Sequence, residues 1–201
     1  MSRKNLGVRW KLKIGEVFFA TSNRHKFREI KALASRLGIK VKMFRFKGFE
    51  IQSENLAEIA KRCLMEALER IEAPAMVEDA GLFVEALNGF PGPYSSYVYK
   101  AIGYRGILKL LEGVKDRRAY FLSAIAFGGP KIGVRVFTGR CDGRITFEAR
   151  GESGFGFDPI FQPEGSDKTF AEMSVEEKNM FSHRANALRQ LAKWLRRKGY
   201  L

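Results

Sequence analysis

The stretch Met76-Val-Glu-Asp-Ala-Gly-Leu-Phe83 decides the fold. An apolar run that ends in two adjacent acids and a glycine reads as a buried strand leaving its sheet. Open α/β sheets place their ligands at such carboxyl ends. The paired carboxylates of Glu78 and Asp79 are costly there unless a cation or hydrogen-bond donors compensate them. An acid capping a helix that starts near Leu82 would use the same residues, so on this stretch alone both readings stand.

Upstream, Glu16-Val-Phe-Phe-Ala20 reads as a strand and Thr21-Ser-Asn-Arg-His-Lys26 as a tight polar loop. A helix is expected from about Lys26 to Leu37, because Phe27, Ile30, Leu33, Ala34 and Leu37 share one face and Gly38 can end it. Strand, polar loop and helix together aim loop amides and a helix N-terminus at an anion, with the Lys26 ammonium in reach. Ordinary capping by Thr21, Ser22 or Asn23 explains the loop equally well. A second strand near residues 39–46 leads through a loop holding Glu50 into a helix. There Leu56, Ile59, Ala60, Cys63, Leu64, Ala67, Leu68 and Ile71 keep helical spacing up to Pro74, which makes Cys63 a core residue.

Downstream, a short helix over Phe83 to Leu87 and the rigid turn Asn88-Gly-Phe-Pro-Gly-Pro-Tyr94 precede two short helices, about Ser95 to Ile102 and Tyr104 to Glu112. Residues 119–127, Val134 to Arg140 and Gly143 to Ala149 read as a β-meander in a second lobe. Gly151-Glu-Ser-Gly-Phe-Gly-Phe-Asp-Pro-Ile-Phe161 is a flexible backbone carrying flat apolar faces. A nucleobase could stack on Phe157 while Asp158 accepts from a ring N–H, or the loop is a turn with buried phenylalanines. Ser174-Val-Glu-Glu177 is a capping box. Lys178, His183 and Arg184 then cluster where a last helix begins, its buried side formed by Ala185, Leu188, Leu191, Ala192 and Leu195. That cluster suits an anion, although a histidine at such a place also serves as a cap or packs.

A chain of 201 residues with 45% apolar content makes one domain, or two small lobes sharing a sheet. No apolar stretch approaches the roughly 20 residues of a membrane span, and the basic N-terminus lacks the features of a signal peptide. Cys63 and Cys141 lie far apart, which speaks against a disulfide framework or zinc site and fits a reducing cytoplasm. The net charge of +14 calls for a polyanionic partner. Much of it sits in the tails, and no basic stripe interleaved with aromatics marks a nucleic-acid binder. Two histidines and two cysteines build no nucleophilic triad, and no G-x-x-x-x-G-K-[ST] motif marks a P-loop.

Taken in order, the loops at residues 21–26, 77–82, 89–94, 154–159 and 178–184 resemble the signature of the inosine triphosphatase, or Ham1-like, family. The resemblance runs from about Glu16 to Leu195. It implies a basic extension over residues 1–13 and a single two-lobed domain over 14–201: an elongated mixed α/β sheet flanked by helices, with a central substrate cleft. The implied enzyme is a cytoplasmic homodimer that hydrolyses ITP, dITP and XTP to the monophosphate and pyrophosphate with magnesium. Matched residue by residue, Thr21, Ser22, Asn23, Arg24, His25 and Lys26 form the triphosphate loop. Glu50 and Asp79 are the magnesium ligands, Asp79 also the base for water, with Ala80 beside it. Phe155, Gly156, Phe157 and Asp158 form the base-stacking loop, and Lys178, His183 and Arg184 complete the phosphate and 6-oxo contacts. The sequence departs from the family pattern at Ala80, Cys63 and Asn186. Two other readings share these residues: a Maf-like pyrophosphatase acting on other nucleotides, and a nucleic-acid-binding protein on the same scaffold.

Overall fold

The computed structural model describes residues 13–48 and 51–201. Glu50 and all of the basic extension except Lys13 lie outside them. Among the described residues, twelve α-helices and strands follow in chain order: β1 (Val17–Ala20), α1 (Arg24–Arg36), β2 (Val41–Phe44), α2 (Leu56–Leu68), β3 (Ala75–Val84), β4 (Pro91–Gly92), α3 (Ser95–Leu110), β5 (Arg118–Gly129), β6 (Ile132–Ile145), β7 (Phe161–Pro163), α4 (Val175–Phe181) and α5 (His183–Lys198). The helices carry the caps that their sequence announces. Asn23 Oδ1 accepts from the amides of His25 and Lys26 at the start of α1, and Ser182 caps α5. Gly199 ends α5 in the left-handed conformation that a glycine adopts without cost.

The strands form one mixed sheet in the order β2-β1-β3-β5-β6-β7, with β4 beside the far end of β3. β1 runs parallel to β2 and β3, and the remaining pairs are antiparallel. The pairing of β3 matters most. Along one edge it is bonded to β5 over its whole length, Ala75↔Gly128 to Val84↔Ala119. Along the other, β1 reaches only Ala75 and Met76, and β4 takes up again at Leu82 and Phe83. Residues 77–81 therefore face a break between two partner strands. Backbone groups at such a break need other partners.

Side chains on the two faces of β3 and β5 enter different cores. Met76, Ile125 and Phe127 join Ile30, Leu33, Leu188 and Leu191 beneath α1 and α5. Val77, Ala124 and Ala126 pack under Leu56, Ala60, Leu64 and Ala67 of α2. At the other end of the sheet a third cluster gathers Leu82, Phe121, Ile107, Phe161 and Phe170. Gly139 of β6, opposite Ser123 of β5, sets how close α5 can come: a Cβ there would collide with the carbonyl of His183 and the amide of Ala187. The bare backbone lets the first turn of α5 press onto the sheet at Ser123.

Several boundaries differ from the sequence reading. β3 does not end at its acids but continues through them to Val84, because the β5 ladder outweighs the local glycine. The expected strands at Val134–Arg140 and Gly143–Ala149 are one strand, β6, and the third strand of the meander is the short β7. The two short helices expected after the proline turn are borne out, because α3 is interrupted at Gly103, whose φ of 63° is not helical. The helix expected over Phe83 to Leu87 shrinks to a single 3-10 turn at Glu85–Leu87. β5 and β6 serve all three cores, so the meander belongs to the common sheet and not to a separate one.

Candidate active site

Successive residues of a strand point to opposite faces, and this separates the two acids. Glu78 turns toward α5 and is buried, its side chain 0% exposed; Asp79 turns toward the α2 face and keeps 24%. Lys26, from the first turn of α1, enters the break in the sheet between them. Its Nζ donates to the carbonyl oxygen of Glu78 at 3.2 Å, lies 2.9 Å from Glu78 Oε2, and stands 4.0 Å from Asp79 Oδ1. The triphosphate loop expected at residues 21–26 thus meets the acidic strand at its unpaired edge. Within that loop, Thr21 Oγ1 accepts from the Asn23 amide, while Ser22, Arg24 and His25 are exposed. Ala80 shares the Glu78 face and is half-buried.

Glu78 heads a buried chain of alternating charge. Its Oε1 accepts from Ser123 Oγ at 2.7 Å and from Arg184 Nε at 3.1 Å. Arg184 Nη1 donates to Glu29 Oε2 at 2.5 Å, and Lys178 Nζ donates to Glu29 Oε1 at 2.7 Å. Lys178 also donates to Asp158 Oδ2 at 2.7 Å, and that same oxygen accepts from the Phe155 amide at 2.8 Å. Three cations and three carboxylates run without interruption from the α1 loop to the glycine loop. Buried charges persist only when paired and hydrogen-bonded in this way.

The electrostatics follow from that packing. Burial alone would raise the carboxyl of Glu78, but Arg184, Lys26 and the Ser123 hydroxyl overcome it and hold it at about 2. Glu29 is likewise raised by burial and then brought below its ordinary value by Arg184 and Lys178. Asp158 moves the other way: burial and the charge of Glu29 lift it against the pull of Lys178. His183 is 2% exposed and stacks on Phe121 at 4.6 Å, and neither ring nitrogen has a hydrogen-bond partner among the described residues. Burial, then Arg184 and Lys178, keep the imidazole well below 6.5, so it is neutral.

The glycine loop closes the site from the other side. Phe155 is half-buried and carries His25 on its ring at 5.2 Å, with Lys178 and Arg184 at 5.1 and 5.6 Å. Phe157 packs into the far core against the edge of Tyr99, 3% exposed. Gly154 has a φ of +77°, and a Cβ there would run into the Asp158 carboxylate, so the loop needs a glycine at this point. Gly156 also has positive φ.

The structure therefore links Lys26, Arg184, Lys178 and Asp158 through the carboxylates of Glu78 and Glu29, with Phe155 beside Lys178 and Arg184, and leaves Asp79 near Lys26 on the other face of β3. Glu50 lies outside the described residues. Among the described residues, no three His, Cys, Asp or Glu side chains converge as a ready-made metal cage. Magnesium does not need one. It is held by one or two carboxylates completed by phosphate oxygens and water, and Asp79, a hard oxygen donor still reached by solvent, suits that role. Glu29 and Ser123 escaped the sequence reading, and Glu78 was noticed without a role. The available signals were a glutamate three residues after Lys26 within the apolar stripe of α1, and one hydroxyl in the apolar run of β5.

Comparison with known proteins gives consistent matches. The Ham1 family model matches residues 17–194. A dITP/XTP pyrophosphatase of Hyperthermus butylicus is 52% identical over 183 residues, 91% of this chain and 96% of that protein. One of Thermococcus kodakarensis is 52% identical over 178 residues, 89% and 96% respectively. Among solved structures, the Staphylococcus aureus Ham1 protein superposes with a TM-score of 0.78 at 32% identity, covering 91% of this chain and 99% of its own. No helix among the described residues is long and apolar enough to cross a membrane.

Proposed function

The chain belongs to the Ham1 family, and from that premise we propose that it hydrolyses deaminated purine nucleoside triphosphates, dITP, ITP and XTP, to the monophosphate and pyrophosphate. The observation that carries this reading is Lys26 set between Glu78 and Asp79 at the break in the sheet. A cation with loop amides on one side and a solvent-reached carboxylate on the other is what a polyphosphate and an attacking water require.

In this reading, Thr21 to Lys26 hold the phosphates, with the Lys26 ammonium as their fixed positive charge. Asp79, with Glu50 as a second ligand, would hold magnesium, which would supply charge against the phosphates and orient water for in-line displacement. Asp79 takes the proton of that water. Glu78, locked as a carboxylate, holds Lys26 and Arg184 aligned and so acts as a positioning residue. The base stacks on Phe155, the aromatic of the glycine loop that is not consumed by a core. Lys178 and Arg184 beside that ring donate to the 6-oxo group. An adenine amine would leave those donors unpaired, and such mismatches are costly in a buried site. Neutral His183 adds a ring donor and acceptor without adding charge. A cytoplasmic homodimer using magnesium completes the proposal. Pyrophosphate release across ITP, XTP, GTP, ATP and dUTP, with and without magnesium, tests it: ITP and XTP should turn over only with the metal, and equal turnover of ATP would defeat it.

A further inference from the structure

A second basic surface lies at the other end of β5. A groove of about 460 Å³ is lined there by Lys115, Arg117, Arg118, Arg144 and Arg150, against the carboxylates of Asp116 and Glu148. Along β5, Arg118 stands five residues from Ser123, which bonds Glu78. At about 3.4 Å per residue that is roughly 17 Å from the site described above.

The charge in this groove is unevenly spent. Arg118 is paired with Asp116 at 2.7 Å and with Glu85 at 3.3 Å. Arg117 is buried, 7% exposed, and gives its donors to three main-chain carbonyls, those of Leu111, Ile145 and Thr146, at 2.9–3.0 Å. It meets no carboxylate among the described residues, and its charge is fixed in place by those carbonyls. Among the described residues, Arg144 reaches only the neutral amide oxygen of Gln162, at 3.3 and 3.4 Å; Arg150 shares that oxygen at 3.3 Å but is also paired with Glu172 at 3.7 Å. Lys115 and Arg144 form no ion pair among the described residues. Buried and clustered cations left without acids favour an anion from outside.

One further residue narrows the ligand class. Phe147 is 78% exposed, and the immobilised Arg117 guanidinium lies 4.6 Å from its ring centroid. One part of the ring is thus braced by a cation held by three carbonyls, and most of the rest faces water. An open aromatic plane among unspent cations is the element that binds a base by stacking and its phosphate by charge. In sequence these residues lie in separate stretches, from Lys115 to Arg150; the β5–β6 ladder brings them together. We infer that this groove binds a nucleotide unit, base on Phe147 and phosphate on Lys115 and Arg144, as a site separate from the pyrophosphatase centre. The same chemistry is presented by a free nucleotide and by a single strand of nucleic acid.

The test uses the full chain and two probes, a fluorescein-labelled oligothymidylate followed by anisotropy at low salt, and unlabelled dTTP as competitor. Saturable binding is expected. It should weaken about tenfold in Phe147→Ala, the loss of one stacked base. In a Lys115→Gln, Arg144→Gln double variant, the slope of log affinity on log salt should fall by about one to one and a half. Release of ITP pyrophosphate should be unchanged in both. Displacement by dTTP at comparable concentration would name a free nucleotide as the ligand; oligothymidylate binding that resists dTTP would name a strand. Absence of saturable binding, or variants that bind as the parent does, would overturn the site.

Discussion

Glu29 and Arg184 lie 155 residues apart in sequence, and their side chains meet at 2.5 Å with both 6% exposed or less. Glu29 holds Lys178 on its other oxygen, so a single carboxylate of α1 ties α4 and α5 to the first helix of the chain. Nothing about this pair is exposed enough for salt or solvent to screen it.

Removing that carboxylate should therefore be severe. Glu29→Gln leaves Lys178 and Arg184 adjacent with one fewer negative charge, and breaking a buried pair typically costs about 3–5 kcal/mol. Urea unfolding of the variant is expected to show a loss of that size. A loss under about 1 kcal/mol would mean that the network contributes nothing special to the fold.

Stability should also fall in acid for a reason traceable to one group. Glu78 is held at about 2, below the 4.5 of an unfolded glutamate. A depressed carboxyl contributes stability that is fully present above pH 4.5 and is lost as pH falls toward 2; the gap corresponds to about 3 kcal/mol. His183, kept neutral by the fold, acts in the same direction from about pH 6.5 downward. Unfolding free energies of the parent and Glu78→Gln, compared between pH 5 and pH 2, isolate the first contribution: the variant should show a shallower decline. Parallel curves would show that Glu78 does not titrate as its surroundings require.

The two phenylalanines of the glycine loop should separate in their effects. Phe155→Ala is expected to raise KM for ITP about tenfold, the worth of one stacked base, with little change in stability. Phe157→Ala empties a place in the far core and should cost about 3–5 kcal/mol of stability. Kinetics and thermal denaturation on the two variants check both halves. A raised KM for Phe157→Ala at full stability, with Phe155→Ala silent, would reverse the assignment.

Much of this arrangement can be read from the chain. Asn23 and Ser174 cap where capping chemistry demands, and the apolar stripes of α1, α2 and α5 name their buried faces because helical period is a local property. The length of β3 is not local: Gly81 and the two acids argue for an ending, and only the ladder from Arg118 to Gly129 carries the strand through. The same ladder merges two expected strands into β6. At the candidate site, Lys26 and Arg184 are legible because charged residues at helix starts stand out, and Asp79 because adjacent acids interrupt an apolar run. Glu29 is not, since a glutamate on a helix is ordinary until Lys178 and Arg184 arrive from the far end of the chain. Phe155 and Phe157 look alike in sequence, two residues apart in a glycine-rich loop. Only the neighbouring Tyr99 and Phe161 cluster decides which of them is core.

The central claim is that Asp79, not its buried neighbour, carries the chemistry, and Asp79→Asn tests it most directly. Pyrophosphate release from ITP with magnesium should fall by at least about a hundredfold, the lower range for losing a general base, while circular dichroism and the melting temperature stay those of the parent. A folded Asp79→Asn protein that releases pyrophosphate at the parental rate would contradict the account.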